Sequence, residues 1–282
     1  KKSKETLGYF YFDLLKREGK AGGAHHLGFR SYSVFDGKKT LPVSRIVANF
    51  EPATESMPTL TGFSGVQTLF HEIGHGMDHL FTRTAHEAMG RLVHDAVELP
   101  SQSMEDFTKT PEVLEMISGH YKTGKTFPAK LLRKVEISDK FMPAWGMFSR
   151  VAINKLDLAW HSSEGPQATS VKEFEEAILG RFRMLKSDDP RPLISTSFSH
   201  IFAGAYAAGY YDYIWADILA VQLHAYLSEP EMYSREYRRR FNEYKDKLLG
   251  PANARPILES FVDLLGTEPD PIYYLRDAGI VE

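Results

Sequence analysis

From about Gly65 onward, apolar residues recur at helical spacing. Leu69, Ile73, Met77 and Leu80 are separated by four, four and three positions, one apolar stripe expected to pack inward. Further helical patterns run near 95–108, 111–121, 127–162, 170–187, 205–228, 231–248 and 254–265. Breaks such as SDDPRP and LLGPANARP separate some of them. Residues 7–50 read differently. LGYFYFDLL, GFRSYSVF and SRIVANF are alternating or β-rich pieces, punctuated by glycines and by DGKK, which predicts the strands of a small sheet. The Pro/Thr/Ser-rich EPATESMPTLTGFS is a loop leading into the first helix. There is no internal repeat, low-complexity tract or clear linker. The expectation is a mainly α fold: one domain over 1–282, with a small β-element at about 7–50 and a helical body from about 65 to 282.

Composition narrows what that body does. With 43% hydrophobic and 25% charged residues, the 282-residue chain carries ample material for a large core. A net charge of −3 and a pI near 6.4 provide no electrostatic footprint for nucleic acid or an anionic membrane. No apolar run is long enough to predict a transmembrane helix. The chain has no cysteine, so any metal must be held by His, Asp or Glu. The opening KKSKETLGYFYFDLL has neither an initiator Met nor a signal sequence, and reads as the interior of a longer chain. The expected compartment is the cytoplasm, although an organellar form freed of its transit peptide would look the same.

Three of the 11 histidines fall within the nine residues HEIGHGMDH, His71 to His79. His71 and His75 stand at i and i+4, about 40° apart around a helix axis, so their imidazoles can grip one ion. Glu72 follows the first of them and can hold the water completing the metal shell. This is the H-E-x-x-H logic of zinc peptidases, with the glutamate as general base. The competing reading is a solvated His/Glu face. Gly74 and Gly76 flank His75 and weaken the helix, which suggests that something approaches its backbone closely.

A third ligand is expected from a neighbouring element. HDAVELPSQSMED offers Glu98, set between Val97 and Leu99, an unusual place for a solvated acid. Asp95, Ser101, Gln102 and Glu105 share its helical side and are expected to orient the ligands. The alternative is that Pro100 opens a helix and Glu98 merely answers its dipole.

These strings together resemble the thimet-oligopeptidase family of zinc metallopeptidases, particularly its oligopeptidase A and dipeptidyl carboxypeptidase branch. The likeness rests on FHEIGHGMDHLFTR, DAVELPSQ, GHYKTGKTFP, FSHIFAGAYAAGYYDYIWADILA, GYFYFDLLKREGKAGGA and ANFEP, in order over nearly the whole chain. It implies a zincin-like helical catalytic domain with one zinc ion per chain, held by His71, His75 and Glu98, and with Glu72 as base. It further implies that His200, Tyr206, Tyr210 and Tyr213, with Gly204, bind substrate, and that His200, Tyr206 and Tyr213 stabilise the oxyanion. The three tyrosines are spaced four and three, so they are expected on one helical face, with Gly204 and Gly209 giving the backbone room to bend. Taken without the resemblance, the same tyrosines would read as aromatic packing.

Some features depart from the family. The loop TRTAHEAMGRLVH looks short and poor in glycine, and is expected near the cleft. Asp78 is a candidate acceptor behind the ligands. Ala205 replaces an expected glycine. The long N-terminal portion that walls a deep channel in the family is expected to be absent here, and it becomes a candidate partner beside short peptide substrates. His25 and His26 read as loop residues, His120 receives no chemistry, and REYRRRFNEYKDK reads as a solvated face. SRIVANF is a candidate cleft-edge strand for an extended peptide. Three functions compete: an oligopeptidase, a dipeptidyl carboxypeptidase, and an inactive peptide-binding fragment.

Overall fold

The computed structural model describes residues 5–162, 170–183, 192–203 and 206–281. Five strands occupy the first fifty residues: β1 (Tyr9–Leu15), β2 (His25–Arg30), β3 (Ser33–Phe35), β4 (Lys38–Thr40) and β5 (Val43–Phe50). β5 lies between β1, which it pairs in parallel, and β2, which it pairs antiparallel. Both edges of β5 are therefore taken, and its Ile46, Val47 and Ala48 are buried. The expectation that SRIVANF is an open cleft edge is overturned, because the apolar run that suggested a strand belongs to one covered on both sides. β3 and β4 form a separate hairpin. Its turn falls at Asp36 and Gly37, both at positive φ, as the DG pair predicts.

The helical body begins with α1 (Phe63–Phe81). It continues through α2 (Leu99–Asp106), α3 (Pro111–Ile117), α4 (Ala129–Asp139), α5 (Pro143–His161) and α6 (Val171–Leu179). After these come α7 (Ile194–Ser197), α8 (Asp212–Ser228), α9 (Arg235–Tyr244), α10 (Ile257–Leu265) and α11 (Pro271–Asp277). The mainly α architecture with a small N-terminal sheet is as expected. α7 and α11 lie outside the expected segments, and the segment expected at 127–162 is two helices. The break comes at Met142, at positive φ, because Pro143 disfavours the helical conformation in the residue before it. The expected helix over 205–228 begins only at Asp212. The end of the segment expected at 170–187 and most of the SDDPRP break lie outside the described residues.

Among the described residues, two apolar clusters hold the body together. The larger joins Leu99 of α2, Leu219 and Leu223 of α8, Leu248 and Leu249 of a π-turn at Lys245–Leu249, and Phe261 of α10. The smaller joins Leu156 of α5 to Phe174 and Leu179 of α6 and to Ile201. The helix that carries the histidines meets the larger cluster through Phe70 and Phe81.

The face that α1 buries corrects the stripe expectation. Leu69, Ile73, Met77 and Leu80 are only half-buried, whereas Glu72, Gly74, Gly76, Asp78 and His79 are buried. The helical period was right and the inward face was not. α1 lies between α2 and the sheet, so its small and polar positions face protein on both sides.

Candidate functional site

Gly74 lets α1 approach α2. A Cβ at this position would stand 2.5 Å from both the Pro100 carbonyl oxygen and the Ser101 Cα. At Gly76 it would meet the Phe10 ring of β1 at 2.0 Å. The two glycines that weaken the helix are the positions where neighbouring chain presses against it.

This approach brings the start of α2 to the histidines. Glu98, 2% exposed, precedes α2 but does not cap it with its side chain. Its Oε2 lies 3.2 Å from His71 Nε2 and 3.3 Å from His75 Nε2. Among the described residues, His71, His75 and Glu98 form the group whose ligating atoms could hold a metal ion, all within 4.8 Å of one another. Glu98 does stand at the N-terminus of a helix opened by Pro100, but its carboxylate addresses the imidazoles and does not cap the helix.

The supporting contacts come from the residues marked in sequence. Ser101 Oγ donates to Glu98 Oε2 at 2.9 Å, and Glu105 Oε1 meets His71 Nδ1 at 2.7 Å. That leaves His71 Nε2 facing the centre, the arrangement by which an outer carboxylate orients a metal-binding imidazole. Asp78, expected as an acceptor behind the ligands, is instead buried with Oδ1 unpaired. Burial pushes the Asp78 carboxyl up to about 7.

Charge is strongly coupled here. Burial opposes charge on His71, but hydrogen bonds with Glu105 and Glu98 overrule it and raise its pKa to about 10. Burial likewise disfavours the Glu98 anion, yet hydrogen bonds from His71 and His75 hold its carboxyl well below the usual carboxylate range. Glu72 is buried with Oε2 unpaired, and burial raises its pKa. A carboxylate whose pKa rises from the ordinary range is displaced toward that of a working general base.

His200, Tyr206, Tyr210 and Tyr213 come together, but not on one helical face. Tyr206 and Tyr210 lie in turns, and only Tyr213 is in α8. Tyr206 still stacks on Tyr213 with ring centroids 5.0 Å apart, and Tyr210 stands 5.2 Å from Tyr213. The His200 ring is 5.5 Å from that of Tyr206. The Tyr206 hydroxyl donates to Glu98 Oε1. Burial and then the Glu98 charge push the Tyr206 phenol far above its ordinary range, so it remains a proton donor. Gly204 and Ala205 lie outside the described residues.

Sequence reasoning missed Asp157, the anchor of this turn. It is fully buried on α5, and its two oxygens accept the backbone N–H groups of Ala208 at 2.9 Å and Tyr210 at 3.0 Å. Ala208 sits at φ +59°, a left-handed conformation that these bonds help to hold. Nothing in local sequence marked a residue fifty positions away as the holder of the turn.

His25 and His26 were expected in a loop and belong to β2. The His26 ring is 6.3 Å from that of His75. Its Nε2 reaches Ser44 Oγ at 3.0 Å, and Ser44 Oγ reaches the buried His79 Nδ1 at 2.6 Å. His79 therefore supports the sheet–helix contact and is not part of the ligand cluster. Burial lowers the His26 pKa to about 3.

The site opens into a cavity of about 480 Å3 lined by β2, the His71–His79 face, Glu98, Tyr206 and Tyr213. Gly90, Arg91 and Leu92, from the loop expected near the cleft, also line it. A larger open groove of about 910 Å3 runs along α9 between Arg235, Arg238 and Lys247. It is the solvated, charged face read from sequence and holds no comparable cluster. His120 lies in an exposed turn. Among the described residues no helix is long and apolar enough to cross a membrane.

The sequence matches the family model for peptidase family M3 over residues 1–280. It is 35% identical to oligopeptidase A of Escherichia coli K12, over 98% of this chain and 41% of that protein. It is 32% identical to dipeptidyl carboxypeptidase of Salmonella typhimurium, over 96% of this chain and 40% of that protein. The fold resembles a solved structure of PZ peptidase A with an inhibitor, at TM-score 0.61 and 22% identity, covering 95% of this chain and 42% of the other. The chain spans about two fifths of the length of these relatives.

Proposed function

The chain belongs to peptidase family M3, and from that premise we propose that residues 1–282 form the catalytic domain of a zinc-dependent oligopeptidase that hydrolyses peptide bonds in short peptides. The observation that carries this reading is the position of Glu98 Oε2, 3.2 and 3.3 Å from the inward nitrogens of His71 and His75. Ligands held about 2.0–2.1 Å from a tetrahedral ion stand about 3.3 Å from one another, so the spacing suits zinc. The donor set of two imidazoles and one carboxylate, with no sulfur, suits it as well.

His71, His75 and Glu98 would hold one zinc ion. Bound there, zinc supplies Lewis-acid polarisation of the scissile carbonyl and of the attacking water. Glu72, one residue beyond His71, takes the proton of that water and passes it to the leaving amine. Tyr206 and Tyr213, backed by His200, donate hydrogen bonds to the oxygen that gains charge at the reacting carbon. Tyr210 binds substrate beside them, and the resemblance adds Gly204 to the substrate-binding residues. β2 is the sheet edge lining the cavity, and an extended peptide lying along it would be aligned with the centre.

The similarity to a dipeptidyl carboxypeptidase supports a second reading, removal of C-terminal dipeptides. Peptides with free and amidated C-termini separate the two: an oligopeptidase cuts both, a dipeptidyl carboxypeptidase only the free form. The share of the relatives' length that this chain spans supports a need for the remaining portion as a partner; without it the domain would bind peptides and cut them slowly. Glu72→Gln tests the mechanism itself. It should retain metal and lose about a hundredfold or more of the cleavage rate. Unchanged cleavage would refute the role of Glu72.

A further inference from the structure

The segment that carries Glu98 and the helix that carries Tyr213 are joined by a bond that the proposed chemistry does not use. His94 Nδ1 donates to Asp212 Oδ2. His94 opens the turn His94–Ala96, four residues before Glu98, and Asp212 is the first residue of α8. Asp212 is 1% exposed. Its Oδ1 and His94 Nε2 are both buried without a hydrogen-bond partner. A buried, incompletely satisfied acid is costly unless its partner is held in place. The pair thus ties two segments 118 residues apart.

The same imidazole touches the phenol ring next to the metal centre. The His94 and Tyr206 ring centroids are 4.6 Å apart with an interplanar angle of 66°, an edge contact. Tyr213 lies against Tyr206 at 5.0 Å and 20°. Tyr206 is in a turn, so no helix fixes its side chain. Asp157 fixes the backbone at Ala208 and Tyr210, which follow Tyr206 in the chain. Beyond its hydrogen bond to Glu98 Oε1, the direction of the phenol is set by the rings beside it.

We propose that His94 and Asp212 are positioning residues for Tyr206: Asp212 fixes the His94 imidazole, which holds the Tyr206 phenol aimed at Glu98 and the metal centre. This rests on the proposed role of Tyr206. Neither His94 nor Asp212 touches the reacting atoms in this scheme. His94→Phe keeps a ring against Tyr206 but removes the bond to Asp212. Asp212→Asn keeps an acceptor for His94 Nδ1, and Asp212→Ala removes it.

The test compares these variants of the full chain with wild type, Tyr206→Phe and the His94→Phe/Tyr206→Phe double variant, with melting temperature and metal content checked for each. His94→Phe and Asp212→Ala should lower kcat about ten- to a hundredfold with KM changed less than about twofold. Asp212→Asn should recover most of the loss. In the Tyr206→Phe background, His94→Phe should cost nothing more. The second readout does not require turnover. In protein labelled with 3-fluorotyrosine, the 19F resonance that vanishes in Tyr206→Phe should shift or broaden in both His94→Phe and Asp212→Ala, and stay near its wild-type position in Asp212→Asn. A fully additive double variant, or an unmoved resonance in a folded His94→Phe, would overturn the proposal. If Tyr206→Phe leaves kcat unchanged, the catalytic role of Tyr206 fails instead, and the resonance alone decides whether the pair positions it.

Discussion

Gly74 and Ser101 meet so closely that a Cβ on the glycine would stand 2.5 Å from the Cα of the serine. Ser101 Oγ donates in turn to the Glu98 carboxylate. The distance between α1 and α2 thus sets the distance between the two histidines and the acid.

Gly74→Ala should therefore damage the proposed metal centre even though alanine is the better helix former. The neighbouring atoms are backbone and cannot rotate away. A destabilisation of about 1–3 kcal/mol by thermal or urea unfolding is expected, with weakened metal binding. Wild-type metal affinity and stability in this variant would show that the contact is not limiting.

Glu105 should matter more for metal affinity than for folding. It is partly exposed and holds His71 Nδ1 at 2.7 Å. Glu105→Ala is expected to weaken metal binding about 10- to 100-fold in a chelator competition, with little change in melting temperature for the metal-free chain. Unchanged affinity would show that His71 is oriented without it.

Metal binding should strengthen with pH. In the metal-free chain His71 is protonated up to about pH 10, and a ligating imidazole must give up that proton. Apparent affinity should rise by up to about tenfold per pH unit between pH 6 and pH 9, measured by competition with a buffer-matched chelator. A flat profile would indicate that His71 binds without losing a proton.

Asp78 should make the metal-free protein less stable as pH rises. Its folded pKa of about 7 lies above the ordinary carboxyl value of 3.8 that holds in the unfolded chain. Between those values the folded form keeps a proton that the unfolded form has lost, so stability falls from about pH 4 to about pH 7 and levels off above it. Asp78→Asn should flatten this trend, gaining about 2–4 kcal/mol on wild type across the interval. Parallel pH profiles for the two proteins would contradict the assignment.

Much of the centre was legible because it is local. His71, Glu72 and His75 lie within five residues, and Ser101 and Glu105 follow Glu98 at helical spacing. The glycines beside His75 signalled a close approach, and Gly74 and Gly76 are where it occurs. The inward face of α1 was misread because a hydrophobic stripe reports burial only where burial is apolar, and here the site itself is the buried face. The turn holding Tyr206 and Tyr210 was read as helix because its spacing is also helical. Asp157 and the His94–Asp212 pair had no sequence signal, since their partners are about 50 and 118 residues away.

The most direct test is metal content by mass spectrometry on wild type and Glu98→Ala, with the same samples assayed on a fluorogenic short peptide. About one zinc per chain in wild type, lost together with cleavage in the variant, is the predicted result. A wild-type chain that takes up no zinc even after reconstitution, or a Glu98→Ala variant that keeps both zinc and cleavage, would contradict the account.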